Sequence, residues 1–361
     1  MDIVTHGLAS LAVARGFFPR AGKLATASAV VVGVAANVDW VSSFFSPSVF
    51  LNWHGTYFHS ILAAILYSIL PVIFFAVLGS LWGGIIVPVG RLKEDEAASD
   101  DPRVWRRFAL RRSVAYGLAA PFSCALLHIA MDACQSNGVM LFWPFSSRQF
   151  AADWLPGIDP WILTILIAAI ALPELLRLVG SEIGAKSKKP RGQTGALIGL
   201  ALVLIYVGAR ATLHSNAIAL LGSRAFHGET ARRAWAYPES LSPLAWHGVV
   251  ETESALDEID VDVAAAGDFD PDYSVRIFKP EPSPVLEAAR NTNTARRFLA
   301  KAQIPGASVN KTEAGYTVIL RDLRYAASGE TQHEVAAYIE LDRNNQVTSQ
   351  ELVWARELRN Y

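Results

Sequence analysis

Long apolar runs separated by short basic loops fill the first 215 residues, and from about residue 222 onward the chain becomes mixed and polar. Crossing a bilayer as a helix takes about 20 mostly apolar residues. Runs of that kind fall at 24–45, 60–89, 113–134, 160–179 and 194–213. The 60–89 run exceeds what a span needs, and Pro71 predicts a kink in it. A further apolar stretch at 7–18 is 12 residues long, short for a span. Past residue 240, alternating runs at 273–278, 315–323, 334–341 and 346–354 predict strands. The stretch 283–301 predicts a helix, with Ser283 as N-cap and Pro284 in its first turn. Asn344-Asn345 marks a hairpin between the last two strands. The pattern therefore predicts a membrane all-α helical bundle of five to six segments over 1–221. A linker at 222–239 and a small soluble α+β domain over 240–361 follow it.

Composition agrees. Of the 361 residues, 52% are hydrophobic and 18% charged, against about 25% charged in a typical soluble chain. A net charge of -1 gives no electrostatic footprint for nucleic acid, so the expected partners are membrane lipids. Asp2 stands where a cleavable signal peptide would carry basic residues. Cys124 and Cys134 are ten residues apart in one expected helix. At about 15 Å along the axis they are too far apart for a disulfide, so they say nothing about redox compartment.

Basic residues set the orientation. Fourteen Lys and Arg occupy the turn at 15–23 and the loops at 90–112 and 181–193, whereas 46–58 and 135–159 together hold only Arg148. The positive-inside rule puts the first group in the cytoplasm. The loops at 46–58 and 135–159, and the C-terminal domain, then face outward.

Ionisable side chains within spans are rare and mark function by default. Asp39, His54, His59, His128 and Asp132 all fall at the outer ends of their segments. His128 and Asp132, in LLHIAMDAC, are i and i+4 on one helical face and can grip one ion. His54 and His59 bracket a loop-to-helix junction. Imidazole and carboxylate donors suit a divalent metal: zinc, manganese or iron. His6 joins this group only if 7–18 crosses the membrane, and the six-segment arrangement is adopted for that reason.

The opening MDIVTHGLASLAVAR, the block ALLHIAMDACQSNGVMLFWPFSSRQFAADWLPGIDPW and the segment LAWHGVVETES together resemble the YdjM-like membrane-bound metal-dependent hydrolases. That family is distantly similar to zinc-dependent phospholipases C and related single-strand nucleases. The resemblance covers most of the chain, most strongly 1–160. It implies a multi-pass protein of the bacterial inner membrane with zinc held by His6, Asp39, His54, His59, His128 and Asp132. It also implies hydrolysis of a phosphoester, of a lipid-like substrate among others. Two departures stand out. Asn37 occupies the place of the family's first carboxylate, and His54-Gly-Thr-Tyr-Phe-His59-Ser lacks the arginine and threonine of the family's His-Arg-Gly-x-Thr-His-Ser. An arginine there would be the natural clamp for a phosphate.

A bound metal would lower the pKa of a water from 15.7 to about 7. Asp153 and Asp159 are candidates for general base or for orienting ligands, the alternative being loop-capping. Asn37 can coordinate through its carbonyl or hydrogen-bond a ligand, and Arg148 can contact an anionic substrate or the lipid headgroups. His214, His227, His247 and His333 have no partner at ligand spacing and read as structural. Three functions remain: a membrane hydrolase, a transporter using the same groups as an ion path, and a metal-binding or regulatory protein without catalysis.

Overall fold

The computed structural model describes residues 1–19, 21–81, 102–182, 192–264, 269–325 and 334–360. Most of the basic loops that set the orientation, at 90–101 and 183–191, lie outside these residues, as does His333. In chain order the helices are α1 (Ile3–Phe17), α2 (Gly22–Ala35), α3 (Pro47–Trp53), α4 (Ile61–Leu81), α5 (Pro102–Ala133), α6 (Pro160–Glu182) and α7 (Gln193–Gly222). A 3-10 helix, Ala36–Phe44, continues α2 without a break. The chain then forms strands β1 (Ala225–Phe226), β2 (Glu229–Thr230), β3 (Arg233–Pro238), β4 (Ala245–Glu251), β5 (Ala255–Asp262) and β6 (Val275–Phe278). Helices α8 (Pro284–Arg290) and α9 (Asn293–Leu299) follow. Strands β7 (Pro305–Lys311), β8 (Gly315–Asp322), β9 (Val335–Asp342) and β10 (Val347–Trp354) end the fold.

Two compact units divide the chain. The first comprises 1–38, 55–152 and 157–209; the second comprises 39–54, 153–156 and 210–361. In the first unit α1, α2 and α5 approach through small side chains: Ala9, Ala12, Ala14, Ala29, Ala120, Cys124 and Ala125 are all buried. Without a hydrophobic drive between helices in lipid, such residues permit the close packing that holds a membrane bundle together. Gly33 is the tightest point, because a Cβ there would overlap Ser10 Oγ and press on Cys124. Leucines and isoleucines of α4, α6 and α7, such as Leu66, Leu176 and Leu204, remain exposed, as lipid-facing positions require.

Fewer segments among the described residues can span than the pattern predicts. Among the described residues three helical stretches are long and apolar enough: Ala25–Phe44, Pro160–Arg177 and Gln193–Gly222. The remaining apolar helices, Ile3–Phe17, Ile61–Pro71 and Gly117–Ala133, are shorter. The 15 residues of α1 reach about 22 Å, less than the ~30 Å hydrocarbon core. In α5 the apolar stretch is only the second part of a helix that begins at Pro102, and five arginines crowd its first turns.

The second unit is richer in sheet than the sequence predicts. Strands β3-β4-β5-β6 form one antiparallel sheet and β10-β9-β8-β7 another. Residues 222–239, expected to be a linker, instead carry β1, β2 and β3. Arg233-Ala-Trp-Ala-Tyr-Pro238 pairs with β4 from Arg233↔Glu251 to Pro238↔Trp246. The last turns of α7 lie on this sheet, with Ala217 and Leu221 packed against Trp246, Val250 and Val261. Helices α8 and α9 cover the other sheet, where Leu286 and Phe298 meet Val318, Leu320 and Ile339. The single helix expected at 283–301 breaks at Asn291-Thr292. Thr292 recaps the chain there, its Oγ1 accepting from the Ala295 N–H at 3.1 Å. The hairpin residue Asn345 adopts φ 63°.

The segment 39–54 packs into this unit. Phe50 meets Trp354 with ring centroids 5.5 Å apart, and Arg297 donates to Ser48 Oγ at 3.0 Å. Arg210 belongs to the same unit. Its Nε donates to the Trp154 carbonyl at 3.0 Å, its Nη1 to the Pro243 carbonyl, and its guanidinium lies 4.3 Å over the Trp246 ring. Arg210→Ala removes the charge and leaves two carbonyls without their donor. The expected loss is about 2–4 kcal/mol, read as a lowered thermal midpoint in detergent. Arg210→Lys, which keeps the charge but not the planar fork, should fall between the two.

Candidate metal centre

Helix α5 brings His128 and Asp132 to one face, a turn apart. Helix α1 contributes His6 from its first turn, and the turn before α4 contributes His59. Their ring nitrogens converge on the Asp132 carboxylate. His6 Nε2 lies 3.2 Å from Oδ1, while His59 Nε2 and His128 Nε2 lie 2.9 and 3.2 Å from Oδ2. His59 Nε2 and His128 Nε2 are 3.3 Å apart. The His6 and His128 rings stack at 3.7 Å with an 18° interplanar angle. All four residues are buried, His6 and His128 to 1% exposure. Ligand atoms of His6, His128 and Asp132 lie within 4.8 Å of one another, a group that could hold a metal ion.

The far nitrogens explain the aim of the rings. His128 Nδ1 donates to the Gly33 carbonyl at 2.7 Å, and His6 Nδ1 lies 3.1 Å from Asn37 Oδ1. A Nδ1–H engaged in this way leaves the Nε2 lone pair directed at the centre, the arrangement of metal-ligating histidines. Asn37 is fixed in turn, donating from Nδ2 to the Met1 carbonyl at 3.2 Å. Its amide supplies the acceptor that orients His6, a task that needs no carboxylate. Gln135 donates to Asp132 Oδ1 at 3.3 Å, and the Met1 amino nitrogen lies 2.5 Å from that oxygen. Imidazole and carboxylate groups buried together in this way are donor types that can hold a divalent cation.

The turn carrying His59 is sewn to the 138–150 loop. Met140 N–H donates to the Gly55 carbonyl at 3.0 Å and Ile61 N–H to the Leu141 carbonyl at 3.0 Å, while Val139 and Phe150 form a two-way bridge. Gly55 and Gly138 sit at φ 67° and 64°. Side chains are disfavoured there, and a Cβ on Gly55 would stand 2.8 Å from the Gly138 carbonyl oxygen.

Asp39 and His54 belong to the second unit, where they pair with each other. His54 Nδ1 is 3.2 Å from Asp39 Oδ2, and the His54 ring stacks on Phe50 at 4.8 Å. Lys301 approaches the same pair, its Nζ 3.5 Å from the His54 carbonyl. Burial pulls the Lys301 ammonium down to about 8, against the pull of the Asp39 carboxylate and with the push of Arg324.

Asp159 is an N-cap. Its Oδ1 accepts from the Trp161 and Ile162 N–H groups, each at 3.0 Å, and its Oδ2 from the Tyr206 hydroxyl at 3.0 Å. Both oxygens are thereby engaged in starting α6, the capping alternative. Asp153 adopts φ 57° in the second unit, where its charge acts on Tyr237 and Arg324. Arg148 is exposed and lies over the Phe150 ring at 5.1 Å. His247 pairs with Asp260 at 2.8 Å, His227 approaches Ser274 Oγ at 3.1 Å, and His214 packs by the Trp246 ring.

The fold and site define a helical unit with candidate membrane spans, built around a buried His and Asp centre and followed by a sheet-rich region. The chain belongs to the YdjM inner membrane protein family, which it matches over residues 1–217. Residues 284–361 match the YfhP C-terminal alpha/beta plait domain. No curated protein and no solved structure matches the chain. Sequence reasoning missed Gly33, whose carbonyl orients His128 while its missing Cβ admits Ser10. Gly33→Ala should cost about 1–3 kcal/mol by overpacking and lower the metal content of the purified chain. Adding Ser10→Gly should restore part of both, as measured by thermal unfolding and elemental analysis.

Proposed function

We propose that this chain is a metal-dependent hydrolase of the inner membrane, with a divalent cation, zinc by choice of donors, held by His6, His59, His128 and Asp132. The observation that carries the reading is the convergence of three buried Nε2 atoms on one carboxylate, with two of the far nitrogens tied to the Gly33 carbonyl and the Asn37 amide. When bound, the metal would supply a water acidified to a pKa of about 7 and a Lewis acid for the scissile group. The chain's own part is to hold the imidazoles neutral and aimed, and to exclude bulk water from Asp132. Arg148 belongs to the same reading as a contact for an anionic substrate.

The substrate class proposed is a phosphoester, lipid-like in keeping with the chain's setting. The charge bias of the loops supports a multi-pass arrangement with the C-terminal domain on the outer side of the membrane. A second reading, metal binding without hydrolysis, draws on Asp159, whose two oxygens are committed to a helix cap and Tyr206. Purified protein in detergent, assayed on phosphomonoester, phosphodiester and phospholipid substrates, decides between them. Hydrolysis that stops with chelator, returns with zinc and falls at least about a hundredfold in His128→Ala and Asp132→Ala supports the hydrolase. Full metal occupancy with no hydrolysis of any of these substrates would establish the second reading.

A further inference from the structure

Tyr67, on α4, carries a hydroxyl that is buried and has no hydrogen-bond partner among the described residues. Its neighbour Ser68 shows the ordinary solution in an apolar helix, donating back to the Ala64 carbonyl at 2.5 Å. Tyr67 has no such outlet. Its ring packs against Val32, Ala64, Ala125, Ile129 and Val139. Val32 precedes the Gly33 that orients His128, and Ile129 follows His128 itself. Ala125, Ile129 and Asp132 are i, i+4 and i+7 of α5, so the Tyr67 ring packs on the face of that helix that carries Asp132. A buried donor left unmade bears its full desolvation penalty, and phenylalanine would fill the same space without it.

Three other donors at the centre are already engaged. His128 Nδ1 is bonded to the Gly33 carbonyl, His6 Nδ1 faces Asn37 Oδ1, and Gln135 Nε2 donates to Asp132. We propose that the Tyr67 O–H is the donor this centre offers to a phosphate-type oxyanion bound at the metal. It would serve as the hydrogen-bonding half of an oxyanion site whose other half is the cation. The inference rests on the metal reading above but adds a residue outside the ligand set.

The experiment uses full-length Tyr67→Phe protein in detergent, with inorganic phosphate as the probe. Metal content should equal that of the unaltered chain, because Tyr67 is not a ligand. Phosphate affinity of the zinc-loaded protein, from calorimetry, should weaken roughly tenfold. The thermal midpoint of the metal-free variant should be unchanged or higher, since an unmet donor has been removed. Equal phosphate affinity in the two proteins would overturn the proposal, and so would a lower midpoint in the metal-free variant, which would reveal a structural partner. If the unaltered chain retains no zinc, the metal reading itself fails and takes this proposal with it. Loss of zinc in Tyr67→Phe alone would contradict only the role given to Tyr67.

Discussion

Asp132 is a carboxylate enclosed by helices, and an ionised carboxylate stripped of partners in such a place costs more than a folded chain has in reserve. The first unit is arranged so that it is never alone. Imidazoles from α1, α5 and the turn before α4 reach its two oxygens, with Gln135 adding an amide. Each helix must approach closely to do this, which explains why α1, α2 and α5 meet through alanines and through Gly33. The same glycine whose missing Cβ allows the approach then fixes the His128 ring through its carbonyl. Packing and ligand geometry are therefore one constraint.

Asn37 illustrates how an amide can do the orienting work of a carboxylate. A carboxylate at this place would accept from His6 Nδ1–H and add a negative charge to the interior. The amide accepts equally well, and its Nδ2 finds the Met1 carbonyl. The orientation of His6 survives while the centre carries one negative charge fewer. In the second unit the partnership between Asp39 and His54 is held against Phe50 and the carbonyl contact of Lys301. A short piece of the N-terminal family region thus folds with the strands and helices of the C-terminal half.

The i, i+4 spacing of His128 and Asp132 was legible, because helical periodicity alone puts both on one face. So were Ser283 as a cap, the Asn345 turn and the four strands whose apolar residues alternate. Other features leave no such mark. Gly33 acts through a carbonyl and a missing Cβ, which no side-chain pattern reports. Tyr67 reads as one more apolar position in α4 until its hydroxyl is seen to be buried. Strand β5 was missed because Asp257, Glu258 and Asp260 interrupt its alternation, although Asp257 is fully buried with Thr252 and Ser274 donating to it. Asp159 looked equally suited to chemistry and to capping, and only its hydrogen bonds distinguish the two. The docking of 39–54 with residues some 250 positions later in the chain is a long-range contact that local sequence cannot encode.

The central claim is that His6, His59, His128 and Asp132 form the inner shell of one bound cation. X-ray absorption on the zinc-loaded, extensively dialysed chain tests it most directly. The account predicts one zinc per chain with imidazole nitrogens at about 2.0–2.1 Å and a carboxylate oxygen at about 2.0–2.2 Å. It also predicts that the imidazole signature is lost in His128→Ala. Zinc washed out by dialysis, or a retained shell of oxygen alone, would contradict it.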